Sequence, residues 1–254
     1  MNAQTIMICS GKGGTGKSTV SVLLGAQLGA WGRRVLLIEL DSGLRSVDMI
    51  AGVYGKTVYD IEDVLCGRCD GSKAIVPSPL YPGLSVISAP YEGGEVRAAP
   101  LAGLILAMRE YFDYILLDTA AGMGAPFTAA NRLADGALVV LTPDPVALRD
   151  GRIVADALLQ NGRPASAVRL VMNRVSRSSF GKDAAVFDLD ECIDTVGLQL
   201  IAAIPESRTL QRAGAAGTAL PQDCPAAIAG HALAGRILGE RIPLTLLHMI
   251  QRKN

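Results

Sequence analysis

Gly11-Lys12-Gly13-Gly14-Thr15-Gly16-Lys17-Ser18 is the stretch on which the reading of this chain turns, because it satisfies G-x-x-x-x-G-K-[ST] in full. An apolar, β-branched run over residues 5–9 precedes it, and a helical pattern over 18–30 follows. Strand, glycine loop and helix in that order form a phosphate cradle. Glycines let the backbone curl so that successive N–H groups point inward, and the helix adds the positive end of its dipole. In such a loop Lys17 reaches the β- and γ-phosphates of a nucleotide and Ser18 offers a hydroxyl to Mg²⁺.

Outward from the loop, apolar runs at 35–38, 84–88, 114–117, 137–141, 168–172 and 200–204 read as further strands. Helical patterns over 100–111, 145–160, 206–213 and 226–238 alternate with them. This alternation predicts an α/β fold of the three-layer P-loop NTPase kind, with a mostly parallel central sheet flanked by helices. Segments 81–94 and 174–188, rich in turn formers or polar residues, are expected as surface loops. At 254 residues with 50% hydrophobic content, one domain over 1–241 followed by a short tail over 242–254 is the expected organisation.

A nucleotide site of this type needs a carboxylate at the end of a second strand to organise the metal, and Asp118 after Tyr114-Ile115-Leu116-Leu117 supplies it. The small-residue loop 119–122 that follows is suited to sensing a γ-phosphate. A third acidic strand end, Glu39-Leu40-Asp41, places Asp41 where it can orient an attacking water. Lys12 is the candidate second cation.

Twenty-four basic residues balance twenty-four acidic ones, so nothing in the net charge demands nucleic acid. The N-terminus lacks the basic and apolar regions of a signal peptide, and no apolar run approaches the roughly 18 residues of a spanning helix. A cytoplasmic protein is expected, with its five cysteines reduced. Cys66 and Cys69 form one C-x-x-C without a second Cys or His pair at zinc-site spacing.

The sequence Lys12-Gly13-Gly14-Thr15-Gly16-Lys17-Ser18-Thr19 closely resembles the deviant Walker A ATPases, the family that includes MinD, ParA and the flagellar-number regulator FlhG. The likeness is greatest to the MinD branch: Asp41-Ser42-Gly43-Leu44-Arg45-Ser46-Val47-Asp48 looks like its first switch region and Asp118-Thr119-Ala120-Ala121-Gly122 like its second. Thr142-Pro143-Asp144 through Arg149 and Asp150 resembles the segment used near the dimer and partner surface, and the likeness continues to Ile204-Pro205-Glu206. The resemblance implies ATP/ADP and Mg²⁺ as ligands, with Gly11, Lys12, Gly13, Gly14, Thr15, Gly16, Lys17, Ser18 and Thr19 around the phosphates. It implies Asn173, Arg174 and Pro205 near adenine, and Ser18 and Asp118 toward the metal.

The same resemblance implies a homodimer formed on ATP binding, in which Lys12 reaches the partner's nucleotide. It further implies a slow, partner-stimulated ATPase with catalytic roles for Lys12, Lys17 and Asp41, placing the division septum, with a protein partner near Arg149 and Asp150. Two departures bear on rate: Glu39 stands where the family usually has aspartate, and Ala120 where it has proline. A third concerns the membrane, which MinD enters through a terminal amphipathic helix. Here residues 244–254 carry Leu246, Leu247, Met249 and Ile250 on an arc interrupted by His248, a short version of such an anchor. A tail packed on its own domain is the favoured reading and a peripheral anchor the other.

Two further classes stay open. A ParA-like partitioning ATPase would bind DNA nonspecifically through Arg163, Arg169, Arg174, Arg177 and Lys182, and a FlhG-like positioning regulator would share the switch. A biosynthetic or metal-delivery enzyme on the same fold would need a substrate or metal constellation beyond the lone C-x-x-C.

Overall fold

A computed structural model describes residues 3–43, 45–92, 97–160, 163–182 and 184–244. Eight strands among them form one sheet in the order β3-β4-β2-β5-β1-β6-β7-β8. They are β1 (Gln4–Cys9), β2 (Val35–Glu39), β3 (Val76–Pro77), β4 (Leu84–Ile87), β5 (Tyr114–Asp118), β6 (Gly136–Leu141), β7 (Val168–Val175) and β8 (Leu200–Pro205). All pairings are parallel except that of β3 with β4. The expected three-layer, mostly parallel architecture is therefore present.

Period-two alternation explains why the sheet is buried on both faces. Met7 and Cys9 of β1 and Leu36 and Ile38 of β2 enter one apolar cluster, while Ile6, Ile8, Val35 and Leu37 enter the other. Each fully buried aliphatic side chain contributes about 1.5–3 kcal/mol relative to exposure. The first cluster is closed by α3 (Ile61–Leu65), α5 (Ala98–Met108), α6 (Ala125–Leu133), α7 (Pro145–Gln160) and α8 (Leu189–Val196). The second is closed by α1 (Lys17–Ala30), α2 (Ser46–Ala51), α9 (Arg208–Ala216) and α10 (Pro225–Ile237).

Several elements differ from the sequence reading. Helices α2, α3, α4 (Gly71–Ala74), α6 and α8 were not expected, and strand β3 was not either. Within segment 81–94, expected in part as loop, the expected strand forms: Leu84, Val86 and Ile87 are buried in β4, and Ser88 and Ala89 just beyond it are buried as well. Strand β7 likewise runs on to Val175, inside the segment expected as loop.

The start of the expected tail is tied down, because the Arg236 guanidinium donates to the Ile242 carbonyl at 2.8 Å and the Pro243 carbonyl at 2.7 Å. Leu246, Leu247, His248, Met249 and Ile250 lie outside the described residues. None of the described helices is long and apolar enough to cross a membrane.

Candidate nucleotide site

The glycine loop joins β1 to α1 at the carboxyl edge of the sheet, where parallel-sheet ligand sites gather. Gly14 and Gly16 have φ of 80° and 89°, backbone that a side chain disfavours. Gly16 has a second constraint, since a Cβ there would run into the Asn173 amide. Helix α1 begins with no side-chain cap and no acidic residue in its first turn. Its opening N–H groups and dipole are thus left to an anion.

Around this cradle the carboxyl ends of β2 and β5 supply charge. Lys17 is 7% exposed with Nζ 3.7 Å from Asp41 Oδ2, so Asp41, two residues beyond β2, faces the lysine of the glycine loop. Asp118, the last residue of β5, is fully buried, and its Oδ1 accepts from the Ser21 hydroxyl at 3.0 Å. Its Oδ2 has no hydrogen-bond partner among the described residues, and neither has the buried Thr15 hydroxyl. Burial pushes the Asp118 carboxyl up to about 6, against the pull of the Lys17 charge and the Ser18 and Ser21 hydroxyls. An unsatisfied buried carboxylate oxygen beside a serine hydroxyl fits a hard divalent cation such as Mg²⁺, which takes oxygen ligands.

Lys12 lies elsewhere on the loop, 47% exposed, with Nζ 3.7 Å from Asp144 Oδ1. Asp144 is held in turn by the Thr142 hydroxyl at 2.6 Å and the Ala147 N–H at 2.9 Å. Helix α7 presses on the same loop, because a Cβ on Gly11 would sit 2.6 Å from the Asp150 carbonyl oxygen. Arg149 is exposed next to that contact.

Behind the loop opens a cavity of about 420 Å³ that collects Gly16, Thr19, Asn173, Arg174 and Pro205. The residues expected at the adenine side therefore do share one cavity with the phosphate loop. Asn173 does more than line it: the side chain is buried and its Nδ2 donates to the Thr15 carbonyl at 2.8 Å, bracing the loop. Arg174 adopts a left-handed φ of 55° at a register shift between β7 and β8. Sequence reasoning missed the opposite walls, Met49 and Ile50 of α2 and Leu210 and Gln211 of α9. Two apolar residues directly after the 41–48 motif were the available signal.

Glu39 is 1% exposed and spans two elements, with Oε1 accepting from the Val47 N–H at 3.2 Å and Oε2 from the Ala89 N–H at 3.4 Å. Burial, helped by the neighbouring Asp118 and Asp48, raises its carboxyl from 4.5 to about 8 despite those N–H donors. The folded state then holds a proton that the unfolded chain has released between those values, so stability falls as pH rises from about 4.5 to about 8. Thermal unfolding of nucleotide-free protein should give a higher Tm at pH 6 than at pH 8. Glu39→Gln should shrink that difference to less than half; an unchanged difference would assign it to another group.

Cys66 is exposed and Cys69 half-exposed, both as free thiols. No group of three or more His, Cys, Asp or Glu among the described residues is placed to hold a metal ion. Of the arginines a DNA surface would need, Arg163 is spent on the Ala134 and Asn131 carbonyls and Arg169 on those of Ala165 and Val168.

The CobQ/CobB/MinD/ParA nucleotide binding domain profile matches residues 6–220. The chain is 34% identical over 250 residues to the septum site-determining protein MinD of Bacillus subtilis (strain 168), covering 96% of this chain and 92% of that one. It is 35% identical over 248 residues to the Helicobacter pylori protein of the same name, covering 94% and 92%. Among solved structures, MinD in the MinC:MinD cell division complex of Aquifex aeolicus superposes with a TM-score of 0.87 at 32% identity, covering 95% of this chain and 98% of that one. With a loop built for a nucleotide's phosphates and likeness running along nearly its whole length, the chain belongs to the MinD family of P-loop ATPases.

Proposed function

We propose that this protein is an ATP-driven dimerisation switch acting in placement of the division septum. The observation that carries the reading is the division of labour between two loop lysines: Lys17 is buried against Asp41, whereas Lys12 stands half-exposed at the surface, where a second subunit can take it up. Names of the relatives and the MinC-bound neighbour support the process.

In the proposed mechanism the backbone of Gly11 through Thr19 holds the triphosphate, and Asn173 keeps that backbone in shape through Thr15. Ser18 and Asp118 would hold Mg²⁺, which would supply positive charge against the phosphates. Lys17 neutralises charge from its own chain and Lys12 from the partner's side of the interface. Asp41 orients the water that attacks the γ-phosphorus; the P–O bond to ADP breaks and phosphate leaves. Dimer loss on hydrolysis resets the switch. The surface around Arg149 and Asp150, continuous with Gly11, is where a stimulating protein partner would sense the nucleotide. The 1–241 region acts as the ATPase domain, and the bonds from Arg236 to the Ile242 and Pro243 carbonyls support a tail that packs on that domain.

Depleting the protein in its host and scoring septum position by microscopy tests the process directly. Misplaced septa are expected; normal placement would remove the division role while leaving the ATPase intact. The DNA-partitioning alternative is disfavoured because Arg163 and Arg169 already bond backbone carbonyls. Pelleting with anionic liposomes tests the tail: no binding in ATP or ADP is expected, and binding in ATP with release in ADP would make the tail a nucleotide-gated anchor instead.

A further inference from the structure

The mechanism leaves unused a buried ion pair just beyond Asp41. Arg45 is 4% exposed and Asp48 fully buried, with Arg45 Nε and one terminal nitrogen each 2.7 Å from Asp48 Oδ2. The guanidinium also donates to the Thr57 hydroxyl and lies 4.2 Å from the centre of the Tyr91 ring. Asp48 uses its second oxygen to accept from the Ser88 hydroxyl at the end of β4. One charge pair thus fastens the start of α2, the α2–α3 connection and the segment after β4.

Two features argue that this pair does more than fill space. Arg45 has a φ of 47°, a left-handed backbone that a non-glycine residue holds only when its surroundings force it. Burying two charges is also a poor way to gain stability compared with apolar side chains of the same volume, so its use calls for a positional reason. The chain on either side of Asp41 supplies one. Leu40 N–H is fixed to the Asp118 carbonyl at 2.8 Å, and Gly43 N–H to the Pro90 carbonyl at 3.1 Å. Asp41 and Ser42 hang between those bonds, and the side-chain anchor on the far side is Arg45.

We infer that the Arg45–Asp48 pair is a positioning device for Asp41, anchoring the chain beyond Gly43 so that the Asp41 carboxylate stays at the loop mouth over Lys17. Arg45 is a positioning residue, since it touches neither phosphate nor metal ligands. The inference rests on the assignment of Asp41 to the attacking water, and it makes the hydrolytic rate depend on a group that nucleotide affinity does not need.

The test compares wild type, Arg45→Lys, Thr57→Val and Asp41→Ala, together with Arg45→Lys combined with Asp41→Ala. Single-turnover hydrolysis of labelled ATP, equilibrium binding of a fluorescent ATP analogue and amide hydrogen exchange over 40–48 are measured on each. Lysine keeps the charge but cannot make the two-nitrogen contact with Asp48. Arg45→Lys should hydrolyse about tenfold more slowly, bind within twofold of wild type and exchange faster over 40–48. Its effect should fall below twofold when Asp41 is already alanine. Thr57→Val, at the edge of the network, should show a smaller loss of the same kind and serves if Arg45→Lys does not fold. Wild-type hydrolysis in Thr57→Val and Arg45→Lys, a loss of binding in place of rate, or the same tenfold effect without Asp41 would each overturn the inference. Asp41→Ala turning over like wild type would instead overturn the role given to Asp41 itself.

Discussion

Asp41→Ala is expected to bind ATP normally, to hydrolyse it about 10²–10⁴-fold more slowly and to accumulate as an ATP-bound dimer. The residue lies two positions beyond β2 with its carboxylate 3.7 Å from Lys17 Nζ and 41% of its side chain exposed. It therefore reaches the phosphate end of the site from the solvent side, where a water can sit. Removing it leaves the glycine cradle, Ser18 and Asp118 in place, so affinity should change little. The dimer proposed to form on ATP should then lose its reset. Phosphate release with size-exclusion chromatography reads both quantities; wild-type hydrolysis would assign the water to another group.

Lys12→Ala is expected to separate binding from assembly in the opposite sense. Its ammonium lies at the surface beside Asp144, whereas Lys17 is buried on the loop, where it would meet the phosphate charge from within the same chain. Loss of Lys12 should leave the ATP dissociation constant within a few-fold, abolish the ATP dimer at micromolar protein, and lower turnover by about a thousandfold, the order associated with a transition-state cation supplied in trans. Calorimetry for binding and light scattering for mass check the two halves. A dimer that forms normally without Lys12 would place this lysine outside the interface.

How far each feature could be read from the sequence follows from how local its physics is. Gly11 through Ser18 carries its chemistry in eight consecutive residues, and β1 and α1 on either side are set by adjacent periodicity. The loop's brace was not legible as such, because the bond from Asn173 to Thr15 spans 158 residues and exists only once β7 lies near β1. Arg45 and Asp48 look like surface charges in one dimension and prove buried, since each supplies the other's counter-charge. Helices α2, α3 and α8 are five to eight residues long, too short for a 3.6-residue period to declare itself. For α3 and α8 the signal was in the cap: Asp60 and Asp188 accept from N–H groups of the first turn. Strand β3 has two residues, one of them Pro77, a residue tolerated at the sheet's edge but not in its middle.

Sedimentation velocity of the purified protein with ATP, with ADP and without nucleotide, each with Mg²⁺, tests the central claim most directly. A species of twice the chain mass is expected in ATP alone, and monomer in the other two samples. A protein that binds ATP with measurable affinity yet sediments as a monomer in all three would contradict the switch.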